Sequence, residues 1–398
     1  MMLKETLKDI ILLQKNDLAR QEIGIKRELL QAIDFAPQHA LVISGIRRCG
    51  KSTLLHQLMS KVKNPNYFNF EDPRALQFQV TDFDKLLMAF EEINGKGTTF
   101  FFDEIQNVPQ WEHAVRKLLD QGKKCIITGS NASLLSKELG TRLTGRHLTH
   151  ELFPFSYTEF LAFTKQKPSA SSFEHYLVSG GFPEYLKFQR DEILQELFTD
   201  IIARDIAVRH KIREGKTLRE LAAYLLTNIG KEFSYNKLAT IFNMGSPNTA
   251  IAYFSFFEDS YMLFSVPRFS FSLQKQRVNP KKIYAIDSGF LRANAVSFSS
   301  DKGRILENTV FMHLKKKYKE IYSFKEHNEC DFIVRRLEDV QAIQVCYELT
   351  EENKQREIKG LQEAMKIMKI KKCLLLTFDQ EDSIGNIKVM PAWKWMLA

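Results

Sequence analysis

A glycine-bounded loop between an apolar run and a helical pattern constrains this chain more than any other feature. Residues 45–53 read GIRRCGKST and fit the pattern GxxxxGK[ST]. They follow the apolar run LVIS and precede a segment in which Leu54, Leu55 and Leu58 share one helical face. Strand, loop and helix in this order predict a phosphate-binding P-loop.

The chemistry expected of this loop follows from its residue types. Glycines let the backbone turn tightly so that successive N–H groups face phosphate oxygens at a helix N-terminus. We expect Lys51 to contact the β- and γ-phosphates of ATP and the Ser52 hydroxyl to bind Mg²⁺. The predicted nucleotide-binding residues are Gly45, Ile46, Arg47, Arg48, Cys49, Gly50, Lys51, Ser52 and Thr53.

Two later apolar runs end in polar residues. The run FFF ends in Asp103 and Glu104, and CIITG is followed by Ser130 and Asn131. Asp103 is predicted to hold Mg²⁺ and Glu104 to activate the attacking water as a general base. A polar side chain at Ser130 or Asn131 could sense the γ-phosphate, although a helix N-cap explains these two residues almost as well.

Short apolar runs alternate with amphipathic segments through the first 130 residues, a pattern typical of βα units and a parallel sheet. The predicted strands are 40–44, 67–70, 98–102 and 125–128, with helices near 51–62, 82–94 and 110–121. After Pro154 the periodicity is helical to about residue 260, and the last hundred residues mix strands with helices. The predicted domains are 1–165, 166–300 and 301–398.

The order of these motifs resembles the AAA-like, STAND-related P-loop ATPases. More narrowly, the chain is similar to a bacterial and archaeal family that joins such a core to a C-terminal domain of uncharacterised function. The resemblance implies an α/β fold in which a P-loop parallel sheet is followed by a helical lid. The segments that carry it are GIRRCGKSTLL (45–55), FFDEIQNV (101–108), ITGSNASLL (127–135), TGR (144–146), LFPFSYTEF (152–160), GGFPE (180–184) and ARDI (203–206).

The resemblance also implies roles for three residues outside the loop. Related ATPases place an arginine after the polar-ended strand that reaches the γ-phosphate, sometimes across a subunit interface, and Arg142 or Arg146 would fill that role in a homo-oligomer. A surface or helix-capping arginine is the alternative. Pro183 resembles the lid proline that packs near the adenine, and a plain helix-breaking turn explains it equally well.

Residues 217–282 contain a helix-turn-helix pattern followed by a basic segment, which together predict a winged-helix module. Lys and Arg outnumber Asp and Glu by 13 to 7 over residues 211–302, whereas the first 210 residues are nearly balanced. The segment 266–282 is predicted to form a basic hairpin that contacts double-stranded DNA through its backbone. The alternative is a lid or a protein dock. The five cations are Arg268, Lys275, Arg277, Lys281 and Lys282.

The C-terminal hundred residues resemble a restriction-endonuclease-like α/β domain. The resemblance places acids at Glu307 and Asp331, followed by a strand that in active members carries an acid, a spacer and a lysine. Here those positions are Gln344 and Cys346. A neutral amide is a poor Mg²⁺ ligand and a thiol cannot replace an ammonium, so we expect no nuclease activity.

Composition supports a globular intracellular protein. Of the 398 residues, 44% are hydrophobic and 26% are charged, which excludes disordered and collagen-like chains. Five cysteines without CxxC pairing, no signal-peptide pattern and no apolar run of about 18 residues favour a reduced cytoplasm and no membrane span. The predicted function is a Mg²⁺-dependent ATPase associated with DNA. The alternative is a nucleotide-switched signalling or scaffold protein whose C-terminal domain docks a partner.

Overall fold

The chain folds into two compact units, Met1–Leu152 and Phe153–Ala398. The computed structural model describes residues 2–20, 22–34, 39–130, 145–212, 215–296 and 301–398. The first unit ends where its last strand ends, thirteen residues before the boundary that the sequence predicted at 165/166. Across the described residues, no helix has the length and apolar character that crossing a membrane requires.

The first unit is built on a five-stranded parallel sheet with the order β2-β3-β4-β1-β5. Its central strands are buried along their whole length, as expected of a parallel sheet covered on both faces. All four predicted strands are confirmed to within two residues. The strands are β1 Ala40–Ser44, β2 Asn66–Asn69, β3 Thr99–Asp103, β4 Lys124–Gly129 and β5 His147–Glu151.

Five α-helices accompany this sheet among the described residues, and three were predicted to within three residues at each end. They are α1 Lys4–Arg20, α2 Leu29–Ala32, α3 Lys51–Met59, α4 Phe83–Asn94 and α5 Trp111–Asp120. Short 3₁₀ turns lie at Pro73–Ala75, Val80–Asp82 and Ile105–Asn107. On one side of the sheet, the rings of Phe70, Phe83 and Phe102 pack with centroids 5.6 to 5.7 Å apart.

The second unit begins with a helical region. Its helices are α6 Tyr157–Thr164, α7 Ala170–Ser179, α8 Pro183–Phe188, α9 Asp191–Asp200, a π-helix Ile201–Val208, α10 Gly215–Thr227, α11 Tyr235–Ile241, α12 Pro247–Asp259, α13 Leu273–Val278 and α14 Ser288–Asn294. A small antiparallel sheet of order β6-β8-β7 lies among them, formed by β6 Glu232–Phe233, β7 Leu263–Pro267 and β8 Lys281–Ala285. The predicted hairpin over 266–282 is wrong in detail, because α13 connects its two strands.

The C-terminal part of the second unit holds a six-stranded mixed sheet of order β13-β14-β12-β11-β10-β9. A helix, three antiparallel strands, a second helix and a parallel strand follow one another in the chain. The elements are α15 Lys302–Lys317, β9 Glu320–Lys325, β10 Glu329–Arg336, β11 Asp339–Val345, α16 Glu351–Met368, β12 Lys372–Thr377, β13 Asp382–Ile384, β14 Ile387–Pro391 and α17 Ala392–Met396.

Helix α16 packs on this sheet through a glycine. A Cβ atom added to Gly360 would lie 1.9 Å from the carbonyl oxygen of Glu329. Gly360→Ala should therefore lower the free energy of unfolding by about 1–3 kcal/mol through overpacking, although alanine is the better helix former by about 1 kcal/mol. Thermal unfolding followed by circular dichroism measures the change.

Gly245→Ala is the matched control, because no atom lies within 4 Å of a Cβ at that position. We expect its melting temperature to equal that of the wild type. A stabilised Gly360→Ala would mean that helix propensity outweighs the steric contact, and that α16 does not pack as closely as described.

Candidate functional site

The predicted P-loop connects β1 to α3, and its first glycine is fixed by a close backbone approach. A Cβ on Gly45 would lie 2.1 Å from the carbonyl oxygen of Leu152, so only glycine fits there. The side chains of Ile46 and Cys49 are fully buried. These contacts anchor the loop in the core of the first unit, and α3 begins directly after it at Lys51.

The Lys51 side chain is buried and lies across the loop. Its ammonium donates hydrogen bonds to the carbonyl oxygens of Gly45 at 3.1 Å and Ile46 at 3.2 Å. It also lies 3.4 Å from a carboxylate oxygen of Glu104. Burial is the largest influence and disfavours the charged ammonium, but the surrounding groups, Glu104 foremost and Asp103 among them, together outweigh burial and raise the pKa of Lys51.

Asp103 and Glu104 lie at the carboxyl end of β3, as predicted, and both are buried. Glu104 adopts a left-handed backbone conformation with φ of 50°. Its N–H donates to the Thr128 hydroxyl at 2.9 Å, and this hydroxyl donates in turn to the carboxylate of Asp103. Tyr67 donates to the other oxygen of Asp103 at 3.2 Å.

The pKa values of the two carboxyl groups are shifted in opposite directions. Burial, together with the neighbouring charge of Glu104, raises the pKa of Asp103. Burial also opposes ionisation of Glu104, but the charge of Lys51 and a hydrogen bond from Gln106 outweigh it and lower the pKa of Glu104. Glu104 is therefore the carboxylate that stays ionised most readily beside Lys51.

Thr128 is a site residue that the sequence analysis missed. It follows an apolar run two residues before Ser130, the residue chosen there, and its side chain links both acids. The Ser130 hydroxyl is buried and has no hydrogen-bond partner within the described ranges. Asn131 and Arg142 lie outside the described residues.

The remaining loop residues differ in environment. Ser52 is exposed, and its hydroxyl favours the ionised form of Asp103 and so lowers the pKa of that carboxyl, whereas Thr53 is half-buried at the start of α3. Arg47 forms an ion pair with Glu71 at 2.9 Å. Arg48 has a left-handed backbone with φ of 60°. These residues are thus less buried than Ile46 and Cys49, whose side chains lie in the core.

The residues present fit a Mg²⁺ ion of the P-loop type. Such a site needs a hydroxyl and a carboxylate from the protein, since phosphate oxygens and water supply the other ligands. Ser52 and Asp103 are near enough for the hydroxyl to stabilise the ionised carboxylate. No cluster of three or more His, Cys, Asp or Glu side chains suited to a metal occurs among the described residues.

Arg146 lies at the amino-terminal end of the parallel strands, whereas the P-loop lies at their carboxyl end. Its carbonyl oxygen accepts a hydrogen bond from the N–H of Ala40, the first residue of β1, whereas the P-loop begins after Ser44, the last residue of that strand. Five residues at roughly 3.3 Å each separate the two ends by about 16 Å. Its guanidinium pairs with Asp120 at 2.5 Å. Contact with phosphates of its own chain is therefore excluded, and a role across a subunit interface stays a prediction.

Pro183 is the first residue of α8, where proline is favoured. The preceding Gly181 donates its N–H to the buried carboxylate of Asp287 at 2.7 Å, and Asp287 also accepts the N–H of Phe290 at 2.9 Å. Burial raises the pKa of Asp287 to about 6. The GGFPE motif thus has a packing role in the second unit, and the adenine contact of Pro183 stays a prediction.

A second buried cluster of charges joins β8 to the C-terminal sheet. The Lys282 ammonium, which is only 3% exposed, lies 3.0 Å from Glu307, 2.7 Å from Glu329 and 2.8 Å from Asp331. Tyr284 donates to Glu307 at 2.6 Å. We call these five residues the Lys282 cluster. The sequence analysis gave Lys282 to a DNA-binding wing, and its burial here contradicts that assignment.

Gln344 and Cys346 are also held by internal contacts. The Gln344 amide accepts the N–H of Asp331 at 3.1 Å and donates to Glu357 at 2.6 Å. Cys346 is buried at the end of β11, where burial raises the pKa of its thiol to about 11. Glu307 and Asp331, the acids expected of a nuclease, therefore lie close together, but an internal lysine forms ion pairs with both of them. The absence of nuclease activity stays a prediction.

The basic segment offers fewer accessible cations than its composition implied. Arg268 pairs with Glu232 at 2.5 Å, and the ammonium of Lys281 lies over the ring of Tyr235. With Lys282 buried, Lys275 and Arg277 on α13 are the exposed cations of the predicted five.

The Lys282 cluster yields a test of its contribution to stability. Lys282→Met should lower the free energy of unfolding by about 3–5 kcal/mol at pH 7, because it leaves buried carboxylates without a counter-charge. The loss should shrink at pH 5, because burial raises the pKa of Glu307 to about 7 and this carboxyl is protonated at the lower pH. Chemical denaturation at both pH values measures it.

The control is Lys281→Met, which removes a positive charge from the neighbouring, half-exposed residue. We expect it to lower the free energy of unfolding by less than about 1 kcal/mol. Equal losses in the two variants, independent of pH, would show that the cluster contributes no more than ordinary packing.

Comparison with known proteins assigns three regions to the chain. Family profiles match an AAA domain over residues 37–161, a domain of unknown function (DUF8612) over 170–301 and a second (DUF4143) over 302–395. Among solved structures, AMPPCP-bound DnaA from Aquifex aeolicus is 16% identical with a TM-score of 0.29, covering 65% of this chain and 92% of that one. Protein VC1899 from Vibrio cholerae is 11% identical with a TM-score of 0.18, covering 90% and 96%. Both scores are too low to support a structural argument.

Two curated relatives extend over almost the entire sequence. An uncharacterised protein of Haemophilus influenzae is 27% identical over 96% of this chain and 100% of its own length. The uncharacterised protein MJ1544 of Methanocaldococcus jannaschii is 34% identical over 99% of this chain and 96% of its own length. The chain therefore belongs to the family of MJ1544, and in this chain the family sequence consists of an AAA domain followed by two domains of unknown function.

Proposed function

We propose that this chain binds ATP and hydrolyses it to ADP and phosphate with Mg²⁺. The observation that carries the proposal is the buried group of Lys51, Asp103 and Glu104 at the carboxyl edge of the parallel sheet, next to a loop anchored by Gly45. Open α/β sheets bind their ligands at this edge.

Lys51 has the environment of a phosphate ligand. Its raised pKa keeps the ammonium charged, and its hydrogen bonds to two loop carbonyl oxygens hold it above the loop. Binding of ATP exchanges these neutral acceptors for phosphate oxygens, which are stronger acceptors because they carry charge. The interaction forms in the ground state and therefore serves binding first.

Glu104 is suited to orient and deprotonate the attacking water. Its lowered pKa keeps it ionised at neutral pH, and Thr128 and Gln106 fix its backbone and carboxylate. Asp103 and Ser52 would hold the Mg²⁺ ion, which when bound neutralises the developing charge on the phosphate oxygens. The short link through Thr128 keeps the two acids in a constant relative position.

Two substitutions separate binding from turnover. Lys51→Ala should weaken ATP binding by roughly 100-fold, since a charge-assisted contact is lost in the ground state. Glu104→Gln should leave ATP binding nearly unchanged and lower kcat on the order of 10²- to 10⁴-fold, because it removes the base. Calorimetric titration and phosphate-release assays measure the two quantities.

Lys63→Ala and Glu91→Gln are matched controls at exposed positions of the same unit, and both should behave like the wild type. Normal turnover in Glu104→Gln would refute the assignment of the base, and undiminished ATP binding in Lys51→Ala would refute the P-loop as the nucleotide site.

We further propose that the ATPase acts in association with DNA through α13. Helix α13 connects β7 to β8 and exposes Lys275 and Arg277, with no acidic residue between 266 and 282. A small exposed basic helix of this kind contacts phosphates independently of sequence. Arg268 and Lys282 are engaged in internal ion pairs and Lys281 lies over the Tyr235 ring, so two of the five cations, Lys275 and Arg277, are left to contact phosphates.

The same segment supports a variant of the alternative function, a nucleotide-switched signalling or scaffold protein that docks its partner through α13 instead of through the C-terminal domain. Phe271, Leu273 and Val278 are each more than 70% exposed. Apolar side chains exposed together are typical of protein-docking surfaces. Binding measured against salt concentration distinguishes the two functions, because phosphate contacts release counterions and apolar contacts do not.

Lys275→Glu with Arg277→Glu should abolish or weaken binding to unrelated DNA duplexes alike. The slope of log K against log salt should flatten by about 1.8, at about 0.9 per phosphate contact. Fluorescence anisotropy with two duplexes of unrelated sequence measures this.

Lys359→Glu with Lys366→Glu, which reverses two exposed charges of α16, is the control and should leave binding unchanged. If the wild type binds no duplex at low salt, the DNA proposal fails and the docking function replaces it.

A further inference from the structure

An irregular segment before the first strand is attached to the P-loop helix by one buried glutamine. The Gln57 side chain of α3 donates to the carbonyl oxygens of Ile23 at 3.0 Å and Ile25 at 2.6 Å, and it accepts the N–H of Arg27 at 3.2 Å. Gln57 is only 3% exposed. A buried amide with three backbone partners holds this segment in one position along α3.

The segment places the side chain of Arg27 against the P-loop. Arg27 is 3% exposed, and its Nη1 donates to the carbonyl oxygen of Cys49 at 2.7 Å. A Cβ on Gly50 would lie 2.9 Å from the same nitrogen. The guanidinium therefore lies directly beside the peptide bond between Cys49 and Gly50.

This contact determines where the next N–H group points. In a planar trans peptide the carbonyl oxygen and the N–H point in opposite directions. Because Arg27 holds the oxygen of Cys49 on one side, the N–H of Gly50 is directed to the other side. A hydrogen bond to a charged donor is stronger than one to a neutral donor, so the orientation is well held.

We propose that Arg27 is a positioning residue for phosphate binding, and this inference rests on the proposed ATPase function. It holds the Cys49–Gly50 peptide so that the Gly50 N–H is available to a phosphate before the nucleotide arrives, and it adds a buried positive charge behind the loop. Preorganised donors bind an anion without the cost of reorienting the backbone. Nothing in the GxxxxGK[ST] pattern includes this residue.

Arg27→Met removes both the hydrogen bond and the charge. Since the loop acts on bound phosphate in both the ground and transition states, KM and Kd for Mg-ATP should rise roughly tenfold while kcat changes less than about twofold. Phosphate-release kinetics and calorimetric titration with Mg-ATP give these values. A merely structural role would lower the fraction of active enzyme, and thus kcat, without raising KM.

Three comparisons complete the test. Lys26→Met removes a neighbouring exposed charge and should leave KM unchanged. Arg27→Lys keeps a charged donor and should recover part of the lost affinity. Arg27→Gln keeps a neutral donor and should raise KM by about threefold, and it replaces Arg27→Met if that variant does not fold.

Unchanged KM in Arg27→Met, or in Arg27→Gln where the former does not fold, overturns the inference while the ATPase function stands. If the wild type binds no Mg-ATP by calorimetry, the proposed function fails and the inference fails with it.

Discussion

The arrangement of the first unit depends on how one ammonium and two carboxyl groups are stabilised in its interior. Lys51, Asp103 and Glu104 are each less than 10% exposed, and isolated charges at such burial would cost several kcal/mol each. The ion pair between Lys51 and Glu104 offsets the cost of burying these two groups, and hydrogen bonds from the Thr128 and Tyr67 hydroxyls stabilise Asp103. The close approach of the Leu152 carbonyl to Gly45 fixes the start of the loop whose carbonyl oxygens accept from Lys51.

The Lys282 cluster also stabilises a buried ammonium, but its partners leave no place for an anionic ligand. The ammonium of Lys51 donates to neutral loop carbonyls that a phosphate can displace. Lys282 instead has three carboxylates around it, and no neutral acceptor is found for its ammonium among the residues that the structure describes. Burial, with Asp331 beside it, raises the pKa of Glu307 to about 7, which indicates that negative charge is already in excess there. A further anion such as a DNA phosphate would meet repulsion at this cluster, so its geometry suits a junction between β8 and the C-terminal sheet better than a catalytic centre.

The sequence predicted the parts of the fold and of the site that depend on local pattern. The runs LVIS and TTFFF, the loop between 45 and 53, and the acids 103 and 104 are each specified by neighbours in the chain, and all lie where expected. Thr128 was missed because a hydroxyl within an apolar run resembles an ordinary strand residue. Arg27 and Lys282 were missed or misassigned because their partners are 22 to 49 residues away, and a lone basic residue carries no signal of burial. The hairpin over 266–282 was predicted from its basic charge and its position after a helix-turn-helix pattern, and neither distinguishes a turn from the six-residue helix α13.

The same contacts indicate why two residue changes would not convert the C-terminal domain into a nuclease. A carboxylate at position 344 would lie where the amide now donates to Glu357, so the added negative charge would face an existing one instead of a metal. A lysine at position 346 would bring its ammonium into a buried site next to the apolar end of β11. Lys282 would still form its ion pairs with Glu307 and Asp331. Surrounding side chains thus hold Gln344 and Cys346 in place, and a metal site there would require Gln344, its partner Glu357 and Lys282 to change together.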